Sequence, residues 1–565
     1  MLWIALHLPQ LSLEAFEATL TGCTGPVALL DGSAVSCTNA AAEALGVRTG
    51  QSRATALALA PDLLTTQADA DRNRQALAAV VHAALAFSPT VSVSPWQALA
   101  AGGAARPLAG VDAEAAGGPS PPGRNEGDVA APTVLLEVQA TLAYWGGRGE
   151  APERQRLNLL GRLLATLSPL GHRLQVATAP TAAGAAVLAP LARPWVAPEV
   201  PTALNASHPQ ALAQALDAAP VERIGPGRAH WEALQGMGLR RLGDLRALPR
   251  SGLARRFGEV LLDALDRAYG DRPDPRPLAR LAEHFESAVE LAQRAESIEA
   301  LLQGAAVLLH RLSAWLRAHQ ARTRRVRLVM LHERGRWAAE LDQPGVAGAP
   351  RTTLNLALTE PSDDAVHLLA LLRERLGRLP LPAPTLDLQV HCDDRVQRPP
   401  PSGELFPSAS HQAEGFNRLI ERLQARLGPD GVQRPVLRND HRPEKANALE
   451  PLGAACRQRP VPVPPRPAGA VVRPVWLLHP PQPLREGPHG LRLGGLSLQL
   501  LSGPERMETG WWDNGLVERD YFIAQTEDGY LMWVYRHRRP ATALSESTVP
   551  KGEGESDWFL HGRFG

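Results

Sequence analysis

The most specific chemistry in this chain is a glycine-rich turn, Ile224-Gly225-Pro226-Gly227-Arg228, followed by Met237-Gly238-Leu239 and then Gly243-Asp244-Leu245-Arg246-Ala247-Leu248-Pro249. Glycines permit a tight turn whose backbone N–H groups, at the start of a helix, receive a phosphate without reading base sequence. Gly-Pro-Gly alone also suits a plain helical turn. With the Gly-Leu and Gly-Asp-Leu elements at these distances, Gly225, Gly227 and Arg228 become candidate contacts to a DNA backbone. A second cationic feature is the run Thr323-Arg324-Arg325-Val326-Arg327-Leu328-Val329-Met330-Leu331. Strand alternation puts Arg325 and Arg327 on one face and Arg324 on the other, so one face can meet phosphates while Val326 and Leu328 pack inward. The competing reading is a solvated edge strand guarded by charge. Acidic chemistry is scarce by contrast. Between Met1 and Ala60 the only carboxylates are Glu14, Glu17, Asp31 and Glu43, and the first lysine from the N-terminus is Lys445.

At 565 residues the chain is too long for one core and should divide into roughly three to five domains. A formal net charge of +1 gives no global attraction to nucleic acid, so any DNA-binding surface must be a local arginine face. Four widely spaced cysteines, Cys23, Cys37, Cys392 and Cys456, form no CxxC pair and point to a reducing compartment without structural zinc. The apolar opening Met1–Pro9 is too short to span a membrane and lacks a basic leader, so a cytoplasmic protein with no membrane partner is expected.

The elements that position these residues follow from periodicity. Strands are expected at 2–8 and 27–30, with helices near 38–45, 51–59 and 71–87. Residues 98–132, almost wholly Ala, Gly and Pro with scattered polar residues, cannot bury enough apolar surface to offset chain entropy and should be disordered. A strand at 133–139, a helix near 153–168, a strand at 173–178 and a helix near 181–192 follow. A long helix (298–320), the basic strand, a second helix (362–377) and a strand at 386–390 suggest a two-layer α/β module.

In this layout the opening Trp3-Ile4-Ala5-Leu6-His7 resembles the first strand of the Y-family translesion DNA polymerases, where an Ile-Asp-x-Asp run carries metal-binding carboxylates. Ala5 and His7 stand at those two positions. The strand Val134-Leu135-Leu136-Glu137-Val138 resembles the segment after the family's catalytic Asp-Glu pair, which puts Pro132 and Thr133 where the pair belongs. The family's Tyr-x-x-Arg grip on the triphosphate falls on Ala40 and Glu43, before Gly46-Val47, and its lysine-bearing turn falls on Val176–Thr181. A two-metal centre needs acidic oxygens holding two hard cations about 4 Å apart. Alanine, proline and threonine supply none, a lone imidazole suits Mg²⁺ poorly, and Glu43 would repel a triphosphate. The resemblance therefore implies no metal, no cofactor and no catalytic residue.

The resemblance further implies an α+β multidomain fold: a palm/fingers domain over 1–200 carrying the insertion 98–132, a helix-hairpin-helix thumb over 201–280, and a little-finger-like domain over 281–398. A clamp-binding linker and helix over 399–469 and a C-terminal β-rich partner-binding region over 470–565 complete the expectation. The extension resembles the ImuB family, the catalytically inactive Y-family relatives of bacterial mutasomes, through Asp440-His441-Arg442-Pro443-Glu444, Gly503–Trp512 and Trp558-Phe559-Leu560-His561-Gly562. That family implies as partners the sliding clamp, an ImuA-like RecA-related protein and a DnaE-type error-prone polymerase, besides DNA bound without sequence preference.

Within the extension, Pro399-Pro400-Pro401-Ser402-Gly403-Glu404-Leu405-Phe406-Pro407 resembles a clamp-binding peptide, with Ser402 where glutamine is usual. Proline flanks lower the ordering cost of an extended ligand, and Leu405 with Phe406 would fill an apolar pocket. A linker with two incidental apolar residues is the alternative. Phe416, Leu419, Ile420, Leu423 and Leu427 recur at helical spacing, most simply to pack on their own domain, and a proline-rich stretch at 457–468 should be disordered. The aromatic-rich end, with Trp511, Trp512, Tyr521, Phe522, Tyr530, Trp533 and Tyr535, reads as a β-rich core with some partner-facing residues. The expected protein is a non-catalytic DNA-binding adaptor of translesion synthesis. An active Y-family polymerase using Glu137 or Asp128, and a plain helix-hairpin-helix protein, are its rivals.

Overall fold

The computed structural model describes residues 1–20, 25–94, 131–196, 203–333, 351–397, 409–452, 472–488, 490–538 and 557–564. Most of the 98–132 insertion, with Asp128, and also Leu405, Phe406 and the proline-rich 457–468, lie outside the described residues. The chain divides into two compact units, Met1–Arg426 and Leu427–Gly565.

The first unit opens with β1 (Trp3–His7) and α1 (Leu11–Glu17). A small three-stranded sheet follows, formed by β2 (Val27–Asp31), β3 (Ala34–Thr38) and β4 (Leu64–Gln67), with α2 (Ala40–Ala44) and α3 (Arg53–Leu59) between β3 and β4. Then come α4 (Ala70–Leu85), β5 (Val91–Ser94), β6 (Thr133–Glu137), α5 (Leu142–Gly146), α6 (Pro152–Leu167), β7 (Leu174–Ala179), α7 (Ala182–Leu188), β8 (Pro194–Trp195) and β9 (Leu204–Asn205). The palm-like sheet has the order β5-β6-β1-β7-β8, with β9 beside β7. β1 is central because it is apolar on both faces, as a strand covered on both sides must be. Ile4, Leu6 and Leu8 pack with Leu77 and Val80 of α4 and Leu160 and Leu163 of α6. Ala5 packs the opposite way, with Ala182, Ala185 and Leu188 of α7.

A run of short helices follows: α8 (Pro209–Ala218), α9 (Gly225–Ala229), α10 (Trp231–Gly236), α11 (Leu242–Arg246), α12 (Arg250–Phe257) and α13 (Glu259–Tyr269). They share a core with α7, where Thr181 donates a hydrogen bond to the Ala268 carbonyl at 2.7 Å. Gly184 lets the chains meet there, since a Cβ would lie 2.9 Å from that same carbonyl oxygen.

The next layer contains β10 (Phe285–Ala295), α14 (Ile298–Ala318), β11 (Ala321–His332), β12 (Arg351–Ser362), α15 (Ala365–Leu376), β13 (Thr385–Cys392) and β14 (Val396–Gln397). Sheet order is β10-β13-β11-β12, and Leu308, Leu312 and Trp315 of α14 pack on Leu328, Met330 and Leu388 of the sheet. Ser297 and Asp364 cap the two helices, accepting from the N–H groups of Ala300 and Val366. The side chain of Gln75 joins α4 to this layer, accepting from the Ala288 N–H at 2.8 Å and the Ser287 hydroxyl at 2.9 Å. The unit's last helix is α16, which belongs to Ala409–Leu427.

The second unit holds a hairpin, β15 (Gln433–Leu437) and β16 (Asn447–Pro451), and a seven-stranded antiparallel sheet. The sheet comprises β17 (Trp476–Pro483), β18 (Arg485–Gly487), β19 (Gly490–Leu493), β20 (Leu496–Thr509), β21 (Val517–Thr526), β22 (Leu531–His537) and β23 (Trp558–Arg563) in the order β17-β23-β22-β21-β20-β19-β18. One buried cluster holds Leu484, Leu498, Val534 and Leu560; another holds Met507, Tyr521, Trp533 and Tyr535. Among the described residues no helix is long and apolar enough to cross a membrane.

Candidate functional site

The palm positions come first. Ala5 is opposite Leu135 on β6 and Ala177 on β7, and all three side chains have no exposed surface. Further along β1, His7 lies opposite Thr133 and Gln175, and its Nδ1 shares a 2.9 Å hydrogen bond with the Thr133 hydroxyl. Burial, and then the positive charge of Arg223, push the His7 imidazole down to about 4. Pro132 contributes its carbonyl, which accepts the Leu8 N–H at 3.0 Å. The structure therefore brings Ala5, His7, Pro132 and Thr133 to one region of the sheet, but the region is apolar and neutral to cationic. Hard divalent cations need carboxylate or carbonyl cages, and these side chains do not fit them. Glu137 stands at the far end of β6, half-buried, with Oε1 accepting the Gln139 N–H at 3.0 Å. Among the described residues no three His, Cys, Asp or Glu side chains gather as a metal-holding group.

Ala40 and Glu43 lie on α2, beside the small sheet. Asn39 caps that helix by accepting the Ala42 N–H at 2.9 Å, and exposed Glu43 accepts from the Thr38 hydroxyl at 3.3 Å.

The glycine-rich turn differs from expectation in one respect. A helix begins at Gly225 rather than at Ala229, and it breaks at His230 before α10. Gly227 is demanded by packing: a Cβ would sit 2.3 Å from the Val221 carbonyl oxygen. Gly225 is exposed with open space around it, and Arg228 is exposed beside it. The two arms of the hairpin are tied by Val221 N–H to Arg240 O at 3.0 Å and Leu242 N–H to Ala219 O at 2.9 Å. Gly238, at φ +78°, makes the turn between them. Asp244 closes the second arm by accepting the Arg241 and Arg240 N–H groups, which hold its carboxyl below the usual range.

On β11, Arg325 and Arg327 are exposed while Val326 and Leu328 belong to the core. The strand lies between β12 and β13, so it is no edge, and protection of an exposed edge does not account for its charge. Arg324, expected on the opposite face, sits at a register shift and is exposed as well, its N–H donating to Asp394 at 3.0 Å. One residue was missed. Arg351 opens β12 opposite Leu331, on the same face as Arg325 and Arg327, and it is exposed. The alternation Leu354, Leu356, Leu358 was the signal that could have revealed this strand. Arg327 lies 3.8 Å from exposed Asp393, a pair too wet to cancel its charge.

The helical stripe of α16 packs only in part, with Ile420 and Leu423 half-buried, and a carboxylate takes the buried face. Glu421 is buried, accepting the Thr359 and Glu360 N–H groups at 2.5 and 3.1 Å and meeting His367 Nε2 at 2.7 Å. Phe416 and Leu419 are exposed. In the second unit Tyr521, Trp533 and Tyr535 form core, whereas Trp511, Trp512 and Tyr530 are exposed.

Comparison with known proteins finds relatives of the chain. Residues 13–98 match the model of the impB/mucB/samB family. Over nearly its whole length the chain is similar to Protein ImuB of Caulobacter vibrioides, in strains NA1000/CB15N and ATCC 19089/CB 15, each 25% identical over 534 residues covering 92% of this chain and 100% of the relative. The chain is an ImuB-like Y-family relative. Similar solved structures include a Dbh ternary complex (15% identity, 70% of this chain, 100% of that one, TM-score 0.33) and DinB from Sulfolobus solfataricus (15%, 70%, 100%, TM-score 0.32).

Proposed function

We infer that the protein is a non-catalytic, DNA-binding adaptor of bacterial SOS translesion synthesis, using a polymerase-like body to hold DNA and a C-terminal extension to hold proteins. The observation that carries this reading is Ala5, sealed among Leu135, Ala177 and α7 at the position where the resemblance expects a metal-binding aspartate. His7 and Thr133, which occupy two further ligand positions, satisfy each other. DNA is the natural ligand of the exposed Gly225–Arg228 turn and of the Arg325, Arg327 and Arg351 face. By resemblance, Leu405 and Phe406 serve the sliding clamp, and the second unit serves an ImuA-like RecA-related protein and a DnaE-type polymerase.

The partner assignments are tested by pull-down of the full chain against each purified protein. Replacing Leu405 and Phe406 with alanine should weaken clamp binding by a factor of roughly thirty, as truncation of pocket-filling anchors does, and leave DNA binding unchanged. Undiminished clamp binding would move that site elsewhere.

A further inference from the structure

Arg311 of α14 carries a charge into the interior of the first unit. The residue is 5% exposed, and burial pulls its guanidinium down to about 10, which still leaves it protonated at neutral pH. A buried cation is ordinarily matched by a carboxylate, because desolvating an unpaired charge is costly. Among the described residues no carboxylate pairs with Arg311. Its hydrogen bonds all leave from Nη1 and all reach neutral oxygens: the Ser287 hydroxyl at 3.2 Å, and Gln75 Oε1 and the Ala288 carbonyl at 3.3 Å. Those lengths are long for a charged donor, whose bonds to a matched anion run about 2.7–2.9 Å. Gln75 Oε1 is moreover already taken by the Ser287 hydroxyl and the Ala288 N–H. A guanidinium has five N–H donors, and among the described residues Nε and Nη2 meet no acceptor.

These donors belong to a cavity of about 30 Å³ at the place where α4 meets β10 and α14, lined by Arg311 with Gln75, Ala79, His82, Glu286 and Ser287. Its size admits a monatomic anion or one or two waters and excludes a phosphate or a nucleotide. Besides the guanidinium, the Gln75 amide NH₂ and the buried His82 imidazole can face such an anion as donors. Glu286 works against it. Its half-buried carboxylate shares the cavity without pairing with Arg311, so the affinity expected is millimolar rather than tight.

We propose that this cavity is a structural site for one monovalent anion of chloride size, which neutralises Arg311 and ties α4 to the β10–α14 layer. Gln75 already crosses the same junction to Ser287 and Ala288, so the anion would complete a polar seam inside an otherwise apolar contact. The site goes beyond the adaptor reading and does not depend on it.

The test titrates the full chain with sodium chloride against sodium gluconate at constant ionic strength, reading the chloride NMR line width and the melting temperature. Wild type should show saturable line broadening and melt about 2 °C or more higher in chloride, as a ligand of the native state requires. Arg311→Met should lose both effects and, in gluconate, melt no lower than wild type, since it removes an unpaired buried charge while keeping an unbranched side chain. Ala79→Val fills the cavity from α4 and should lose both effects with Arg311 still in place, which decides the matter if Arg311→Met does not fold. Arg325→Ala/Arg327→Ala should keep both, because loose ions on the exposed arginine face are a separate source of broadening. Absence of saturable broadening in wild type would mean that the cavity takes water only. Broadening that survives in Ala79→Val or in folded Arg311→Met, or that vanishes with Arg325 and Arg327, would put the ion elsewhere. Any of these results overturns the site.

Discussion

Ala5 faces Leu135 and Ala177 in a region sealed from solvent. A carboxylate there would be buried with neither a cation nor a hydrogen-bond donor assigned to it, a change that typically costs about 3 kcal/mol or more. Ala5→Asp should therefore lower stability by that order in urea unfolding and should not create primer extension, since Pro132, Thr133, Ala40 and Glu43 still supply neither the second ligand set nor a triphosphate grip. Unchanged stability would mean that the β1 position opens to solvent. His7 offers an independent check. Its native pKa is about 4, pushed down by burial and by Arg223, against 6.5 for the unfolded chain. Between those values the unfolded state binds the proton and the native state does not, so stability falls as pH drops from about 6.5 to 4 and the loss is complete below. His561 behaves alike, with burial again the main cause and a value near 4. NMR titration of the two imidazoles should find both midpoints near 4; midpoints near 6.5 would contradict the burial of the two rings.

At the scale of elements, β11 decides whether the arginines act together. As an interior strand flanked by β12 and β13, it holds Arg325 and Arg327 on one stiff face, which Arg351 joins from the neighbouring β12. Replacing Arg325 and Arg327 with alanine should lower the slope of log affinity for DNA against log salt by about two units, one for each phosphate that is no longer neutralised. An unchanged slope would mean that this face only meets water. The glycine turn makes a paired prediction. Gly227→Ala forces a Cβ onto the Val221 carbonyl and should destabilise the first unit by roughly 1–3 kcal/mol, whereas Gly225→Ala meets open space and should cost under about 0.5 kcal/mol. Thermal melts of the two variants separate these outcomes.

Much of this element level was readable in the residues. Alternation placed Val326 and Leu328 inward, and apolar runs located β1, β6 and β7, because local pattern and burial agree there. What escaped depended on tertiary partners. The inward turn of Glu421 follows from the N–H groups of Thr359 and Glu360 and from His367, which lie more than fifty residues away in sequence. Likewise Gly227 reads as a phosphate turn, and only the packing of Val221 shows that it is also a steric necessity. For the palm positions the residues showed that no carboxylate stands at Ala5, His7, Pro132 or Thr133, but not that Ala5 would be sealed or that His7 and Thr133 would pair.

At the scale of the molecule, the boundary of the second unit carries a consequence. Its hairpin segment, expected to belong with a linker and helix over 399–469, contributes Arg442 and Glu444 to contacts with Asp513 and Arg519. Residues 427–565 produced alone should unfold in one cooperative transition, while residues 470–565, lacking Arg442, should melt earlier or not fold. Equal melting temperatures would mean that the Arg442 network contributes nothing to the unit.

Central to the whole reading is the loss of phosphoryl transfer, and primer extension by the purified full chain with Mg²⁺ or Mn²⁺ tests it most directly. No extension is expected with either metal, on undamaged or lesion-bearing template, for wild type or for Ala5→Asp. Robust metal-dependent extension that disappears in Glu137→Ala would contradict the adaptor reading and establish a working polymerase built on a displaced carboxylate.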